Sequence, residues 1–195
     1  MKIKSIKKLS KKYICFDLEV RNHHNFIANN IVVHNSNCRV LCKDGEIYVG
    51  SRNFWKADMP GSIFWKAFRN DPALEKFVRD NPQYMVFGEA YGDVKGFKYD
   101  CAPGEIKFAV FDIFSLAESR WLDYNNARQV GESLHWTPHV ATFAWNLEYA
   151  IKLSSGPSTL PCATNIREGI VVSPNEERIS TAIGRVKLKI VSPDF

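Results

Sequence analysis

Three adjacent residues near the start of the chain, His34-Asn35-Ser36, combine groups that can break a peptide bond. The side-chain amide of an asparagine can attack its own carbonyl carbon, close a succinimide ring and release the residue that follows. An imidazole beside that carbonyl polarises it, and a downstream hydroxyl can act as a nucleophile. The tripeptide alone is a weak signal, because it occurs by chance in many loops. The sequences that flank Asn35 must therefore decide whether it is a cleavage site.

A second group of polar and aromatic residues lies in apolar segments after Asn35. In a strand, Lys187 and Lys189 would share one face, and two cations on one face favour a phosphate between them. Glu89 and Glu168 could hold a sugar hydroxyl and a magnesium ion. Phe111 can stack on a base. These residue types together indicate a nucleotide site.

The apolar pattern predicts the elements that position these groups. Alternation predicts a small all-β piece within residues 1–35, which is too short to hold a core by itself. After Asn35, Lys43-Asp44-Gly45 reads as the turn of a hairpin, and Asp71-Pro72 opens a second helix. Antiparallel sheets with flanking helices, an α+β domain, are expected. The predicted strands are 13–20, 26–28, 31–33, 38–42, 46–50, 84–89, 106–114, 169–173 and 184–191, and the predicted helices fall within 62–81, 122–134 and 141–153.

Composition narrows the class of protein. A hydrophobic fraction of 45% with 13% aromatic residues is enough for a packed core. The net charge of +5 comes entirely from residues 1–35, since residues 36–195 hold nineteen basic and nineteen acidic residues. The main domain is therefore not predicted to be a general nucleic-acid binder. The five cysteines form no Cys-x-x-Cys pair, which indicates reduced thiols, and no apolar run is long enough to span a membrane.

Residues 13–20 and 24–35 resemble the C-terminal splicing blocks of inteins, with a strand, a His-Asn-Phe turn, two short apolar strands and a terminal His-Asn in that order. The resemblance implies that Asn35 cyclises and that His34 activates it. His24 would shuttle protons, and Ser36 would accept the upstream polypeptide by transesterification. The alternative is an ordinary N-terminal β-hairpin whose last two residues form a turn.

The N-terminal splicing block of an intein, with its Cys or Ser nucleophile and Thr-x-x-His motif, is not found in residues 1–34. We therefore expect the chain to carry the C-terminal half of a split intein, with the other half on a separate polypeptide. The lysine-rich start would steer it towards an acidic partner, an effect that salt weakens.

The segment from Ser36 to the end resembles the covalent nucleotidyltransferases, and above all the phage RNA ligase 2 family of ATP-dependent RNA ligases. The resemblance implies an ATP-grasp-like nucleotidyltransferase domain that uses ATP and Mg²⁺, forms a lysyl-AMP intermediate and seals 5′-phosphate and 3′-hydroxyl RNA ends. The implied nucleotide-site residues are Asn37 for ribose or metal, Arg52 for phosphate, Glu89 for ribose, Phe111 for adenine, Glu168 for metal, and Lys187 with Lys189 for the α-phosphate.

The family's nucleophilic lysine lies in a Lys-x-His-Gly motif that would directly precede Ser36, where the intein-like segment stands. We therefore expect two parts, a splicing segment at 1–35 and a ligase domain at 36–195 without its first strand and its lysine. The partner half would supply Lys-x-His-Gly, and RNA would be the partner after splicing. The expected location is the cytoplasm of a bacterial cell or a phage-infected host.

Other functions stay open at this point. The splicing segment could be inactive and the rest a nucleotide- or RNA-binding module, or the nucleotidyltransferase could seal DNA or cap RNA. The sequence also leaves open the identity of the partner half, the physiological substrate and the role of the C-terminal domain that several relatives carry.

Overall fold

The computed structural model describes residues 25–28, 31–34, 37–94, 99–160, 163–181 and 184–194. The chain divides into two compact units, Met1–Ser36 and Asn37–Phe195. In the first, strands β1 (Asn25–Ala28) and β2 (Ile31–His34) pair antiparallel, as the apolar pattern predicts. The strand predicted at 13–20 lies outside the described residues.

A five-stranded antiparallel sheet forms the centre of the second unit, with the strand order β4-β3-β5-β6-β7. Each strand pairs antiparallel with its neighbours, which confirms the expected sheet type. The strands are β3 (Asn37–Lys43), β4 (Glu46–Ser51), β5 (Tyr84–Gly92), β6 (Ile106–Ser115) and β7 (Arg120–Trp121).

The turn between β3 and β4 follows from its sequence. Asp44 and Gly45 both have positive φ, at 53° and 81°. Such angles suit a two-residue Asp-Gly hairpin, because glycine has no Cβ and aspartate tolerates the left-handed region. Lys43-Asp44-Gly45 is therefore the predicted hairpin turn.

Helices α1 (Ile63–Arg69) and α2 (Pro72–Asp80) cover one face of this sheet. Asp71 begins α2, because its side chain accepts a hydrogen bond from the Leu74 N–H and proline follows it at the first helical position. Alternation along the strands places their buried residues on the helix side and leaves a second face for polar groups. The core contains Val40, Val86, Val110, Ile113, Phe64, Leu74 and Val78.

The helices predicted at 122–134 and 141–153 are shorter in the structure. Helix α3 spans Tyr124–Val130, because Leu122 still pairs through its N–H with the Ile113 carbonyl. Helix α4 spans Leu147–Ser154 and begins where the Asn146 side chain accepts a hydrogen bond from the Tyr149 N–H. Both corrections reflect local caps or pairings that the apolar spacing does not encode.

The prediction of a single strand over residues 184–191 was wrong, because the structure has two separate strands in this segment. The short strands β9 (Ile179–Ser180) and β10 (Gly184–Arg185) pair antiparallel, and β11 (Leu188–Val191) pairs antiparallel with β8 (Gly169–Val172). Between β10 and β11, the Lys187 N–H donates a hydrogen bond to the Arg185 carbonyl at 3.0 Å, and this turn ends strand β10. The described elements give a mixed α and β fold with antiparallel sheets, and among them no helix is long and apolar enough to cross a bilayer.

Candidate active site

The polar face of the sheet begins with Asn37 on β3 and Glu89 on β5, which stand directly opposite each other. Directly opposed residues of an antiparallel pair share a face, so both side chains lie on the side away from α1 and α2. The Asn37 side-chain oxygen Oδ1 is buried without a hydrogen-bond partner among the described residues. A buried acceptor without a donor is costly, and it marks a place where a ligand hydroxyl or ammonium could bind.

A β-bulge brings Phe111 and Asp112 to this face. Phe87 of β5 pairs with Asp112, and the next residue Gly88 pairs with Val110, so Phe111 is the extra residue on β6. Val110 stays in the core, whereas Asp112 joins the face that carries Glu89. The bulge therefore redirects an acid and an aromatic ring towards the polar side of an otherwise apolar strand.

Asp112 is almost fully buried and binds two cations. The Lys187 ammonium lies 2.6 Å from both of its oxygens, and the Arg185 guanidinium bonds them at 2.7 and 3.0 Å. Burial lowers the pKa of Lys187, and Asp112 offsets part of that effect. Carboxylate and cations of this kind are kept buried by satisfying one another.

Arg185 is fixed from two further sides. Glu177 accepts hydrogen bonds from its guanidinium at 2.5 and 2.8 Å, and the Trp121 ring lies 3.8 Å from its central carbon. Burial alone would lower the Arg185 pKa, but the bonds to Glu177 and Asp112 raise it. Arg185 is therefore a charged partner of Asp112 whose guanidinium is also held by Glu177 and Trp121.

Glu168 and Lys189 form a separate ion pair, with Nζ 2.8 Å from the carboxylate and both side chains substantially exposed. Lys187 and Lys189 thus have different acidic partners instead of one shared anion. Tyr99 lies in the electric field of both Glu168 and Glu89. Burial is the main reason that the pKa of Tyr99 is raised to about 12, and the charges of these two carboxylates raise it further. The two glutamates of the proposed site act on the same phenol.

Arg52 leaves the sheet at the same end as Asn37, because Ser51 at the end of β4 pairs with Cys38 on β3. Its side chain is exposed. The structure thus places Asn37, Glu89 and Arg52 at one end of the sheet, with Phe111 beside the Asp112–Lys187 pair. Of the residues predicted to take part in splicing, His24, Asn35 and Ser36 lie outside the described residues, and His34 ends β2.

Sequence reasoning assigned no role to Asp112, Arg185 or Tyr99. A signal was present for the first two, since Asp112 is the one acid in an apolar strand and Arg185 precedes the two lysines at alternating positions. Tyr99 gives no such signal, because only the folded chain brings it into the field of Glu168 and Glu89.

The described residues contain no cluster of three His, Cys, Asp or Glu side chains that could hold a metal ion by themselves. Magnesium, however, is commonly held by one or two carboxylates together with substrate phosphates. A face with two separated glutamates, a stacking ring, an unpaired acceptor and four nearby cations (Arg52, Arg185, Lys187 and Lys189) has the groups needed to hold a nucleotide.

Solved structures of an RNA ligase from Naegleria gruberi have a similar fold. The form with PPi has a TM-score of 0.66 at 20% identity, and a mutant with AMP and Mn has 0.67 at 20%. Each match covers 82% of this chain and 47% of the ligase, so this chain spans about half the length of the ligases it matches. A mutant of the same ligase with ATP and Mn gives 0.67 at 19% identity, covering 82% of this chain and 48% of that one.

No curated protein sequence matches the chain. The RNA ligase family model does, over residues 33–191. That range includes the paired Asn37 and Glu89, the bulge at Phe111 and the lysines of the last strand region. Because the match covers most of the sequence, the chain belongs to the RNA ligase family.

Proposed function

We propose that residues 36–195 form the body of an ATP-dependent RNA ligase adenylylation domain, which seals 5′-phosphate and 3′-hydroxyl RNA ends through a lysyl-AMP intermediate. The family match and the fold support a nucleotidyltransferase. The nucleophilic lysine comes from a Lys-x-His-Gly segment on a partner polypeptide. Solved structures of the Naegleria ligase with ATP or AMP and Mn support the use of ATP and a divalent metal, Mg²⁺ in the cell.

The residues of the polar face fit a nucleotide. The unpartnered Oδ1 of Asn37 can accept a hydrogen bond from a ribose hydroxyl or from an ammonium group. Glu89 stands opposite it to accept from the ribose, and Phe111 supplies a ring for adenine. Arg52, exposed at the same end of the sheet, can reach a phosphate.

Lys187 can hold the α-phosphate without leaving Asp112. An ammonium has three N–H donors, and Asp112 offers two oxygens, so a donor is available for a phosphate oxygen. Arg185 holds the Asp112 carboxylate in place through two hydrogen bonds while Lys187 shares its charge with the phosphate. Lys189 would reach the phosphate by leaving Glu168, which then becomes available to the metal. A divalent ion bound there would neutralise part of the phosphate charge.

We further propose that residues 1–35 are the C-terminal half of a split intein of the kind found in phage or bacterial genes. The hydroxyl of Ser36 attacks the ester or thioester that joins the upstream polypeptide to the Ser or Cys nucleophile of the N-terminal intein half, and so takes over the upstream polypeptide. The Asn35 side-chain nitrogen then attacks its own carbonyl, with His34 polarising that carbonyl and His24 moving the proton, and the Asn35–Ser36 bond breaks. The freed Ser36 amine receives the acyl group from its own oxygen, which leaves a normal peptide bond.

The position of Asn37 carries this proposal. Asn37 begins β3 and pairs with Glu89, and it follows Asn35 by two residues. The family match begins at residue 33 and the second compact unit at Asn37, so the ligase begins where the splicing segment would end. The unspliced chain would therefore lack the lysine of its own active site.

Both proposals can be tested by mixing the chain with an N-terminal intein half that is preceded by a ligase segment ending in Lys-x-His-Gly. Intact mass then reports splicing, and radiolabel reports adenylylation. We expect release of the 35-residue fragment and a spliced product that takes up label from α-labelled ATP. Asn35→Ala and His24→Ala should block release, whereas the matched His23→Ala should not. No fragment with the wild-type chain would contradict splicing. A spliced product that takes up no label would contradict the ligase.

The substrate preference and location follow from the same proposal. We expect the spliced enzyme to seal nicked RNA in preference to nicked DNA, and comparison of the two substrates tests this.

The free thiols of Cys38, Cys42 and Cys101 support a reducing compartment such as the cytoplasm.

A further inference from the structure

We propose that a cavity at the β4 edge of the sheet, here called the edge cavity, binds an unpaired base of the RNA strand and its adjoining phosphate. Leu41, Lys43, Tyr48 and Trp55 line the edge cavity, which has a volume of about 200 Å³. This inference rests on the proposed RNA ligase function and adds a substrate-binding surface to it.

Gly50 allows the edge cavity to form. Beyond β4 the chain turns back, with the Ser51 N–H bonding the Phe54 carbonyl and the Lys56 N–H bonding the Val49 carbonyl, each at 2.9 Å. A Cβ at position 50 would lie 2.4 Å from the Phe54 carbonyl oxygen and 3.0 Å from the Trp55 ring. Only glycine lets the indole pack this closely against the strand.

Two aromatic rings form the walls of the edge cavity. Tyr48 and Trp55 meet edge to face, with centroids 5.8 Å apart, and remain 39% and 42% exposed. The volume is below the ~300–1,000 Å³ of a typical small-molecule pocket, which favours one planar ring over a whole nucleotide. Every base offers a π face, so an exposed tryptophan and tyrosine suit stacking with any sequence.

The charges around the edge cavity favour a nucleic acid strand. The Arg39 guanidinium lies 4.0 Å from the Trp55 ring centroid, and its Nε is buried with no hydrogen-bond partner among the described residues. Neither Arg39 nor Lys43 forms an ion pair within the described part of the chain. Both cations are thus available to a phosphate next to a base stacked on Trp55.

The edge cavity lies on the nucleotide side of the sheet. Alternation on β3 places Asn37, Arg39 and Leu41 on the same face. Four residues of strand separate Leu41 from Asn37, which corresponds to roughly 13 Å. An RNA strand whose end is at the nucleotide site can reach the edge cavity within a few nucleotides.

Binding of a fluorescein-labelled single-stranded RNA to the full chain, measured by anisotropy, tests the proposal. Trp55→Ala should weaken binding by roughly 5- to 150-fold, the range expected for loss of one stacked base. Trp55→Phe keeps a ring and should restore most of the affinity. Trp145→Ala is the matched control, because Trp145 is 57% exposed and lies outside the edge cavity.

Lys43→Gln provides a second measurement that does not depend on the stability of the Trp55 variants. We expect it to reduce the slope of log affinity against log salt by about 0.7. An RNA of the same length without bases should bind the wild type more weakly and should no longer distinguish it from Trp55→Ala. Unchanged affinity in Trp55→Ala together with an unchanged slope in Lys43→Gln would overturn the proposal. The proposed ligase would still stand if the spliced product takes up AMP.

Discussion

Asp112 holds the Lys187 ammonium with both carboxylate oxygens, each 2.6 Å from Nζ. The pair joins the bulge of β6 to the turn that precedes β11, two segments 75 residues apart in sequence. Arg185 binds the same carboxylate, so one buried acid fixes two basic residues of the last strand region. The position of Lys187 against the polar face therefore depends on Asp112.

We expect Asp112→Asn to lower the free energy of unfolding by about 3–5 kcal/mol. The reason is that Glu177 would then be the one carboxylate among the described residues left to offset the charges of the buried Arg185 and Lys187. Asp112 is 6% exposed, and its partners are only about one-fifth exposed. Urea unfolding followed by tryptophan fluorescence measures the change. Asp80→Asn is the control, because Asp80 pairs with Lys76 on an exposed helix face, where such pairs contribute less than about 1 kcal/mol. Equal effects of the two substitutions would contradict the role assigned to Asp112.

Gly88→Ala should destabilise the sheet beside the bulge. A Cβ at Gly88 would lie 2.5 Å from the Phe108 ring and 2.6 Å from the Ala109 carbonyl oxygen, so backbone must shift. Overpacking of this kind costs about 1–3 kcal/mol. Because Gly88 pairs with Val110 next to the bulge, we also expect Phe111 to move and nucleotide affinity to fall.

The control for Gly88→Ala is Gly61→Ala, since a Cβ at Gly61 meets nothing within 4 Å. Its unfolding free energy should stay within about 0.5 kcal/mol of the wild type. Thermal or urea unfolding of both variants checks the prediction, and a Gly88→Ala variant as stable as Gly61→Ala would refute it.

Tyr99 should make stability depend on pH between about 10 and 12. Burial, with the charges of Glu168 and Glu89, raises its pKa to about 12, so the folded chain keeps the phenol neutral where the unfolded chain ionises it. Its contribution is therefore complete below pH 10 and is lost as the pH rises towards 12. Tyr99→Phe should lack this part of the pH dependence, which urea unfolding at a series of pH values measures.

The exposed Tyr149 supplies the comparison, because Tyr149→Phe removes a phenol from a helix elsewhere in the chain. Absorbance of the phenolate at 295 nm gives a direct readout, since Tyr99 should ionise late and its late step should be missing in Tyr99→Phe. A Tyr99→Phe variant with the wild-type pH dependence of stability would contradict the prediction.

Local sequence rules were sufficient where one short segment decides the structure. The Asp-Gly turn of the β3–β4 hairpin and the start of α2 at Asp71-Pro72 are of this kind, because the residues themselves favour the required angles and caps. The strands bearing Glu89 and Phe111 were predicted from their apolar runs for the same reason.

The rest depends on residues distant in sequence. The bulge at Phe111 arises from the register between β5 and β6, and the interruption of the last strand accompanies the bonds of Arg185 and Lys187 to Asp112. Neither follows from a period of two in a single segment. The roles of Asn37, Glu89, Phe111, Glu168 and the lysines in nucleotide binding remain predictions.

Asn37→Ala separates function from stability. The buried Oδ1 of Asn37 has no hydrogen-bond partner among the described residues, so removing it relieves a cost of about 1 kcal/mol in the absence of nucleotide. We expect the unfolding free energy to be unchanged or slightly higher, whereas AMP uptake by the spliced product should fall strongly. Urea unfolding and labelling with α-labelled ATP measure the two effects on the same preparation. A large loss of stability would show that the Asn37 side chain maintains the fold, and full AMP uptake would show that it does not hold the nucleotide.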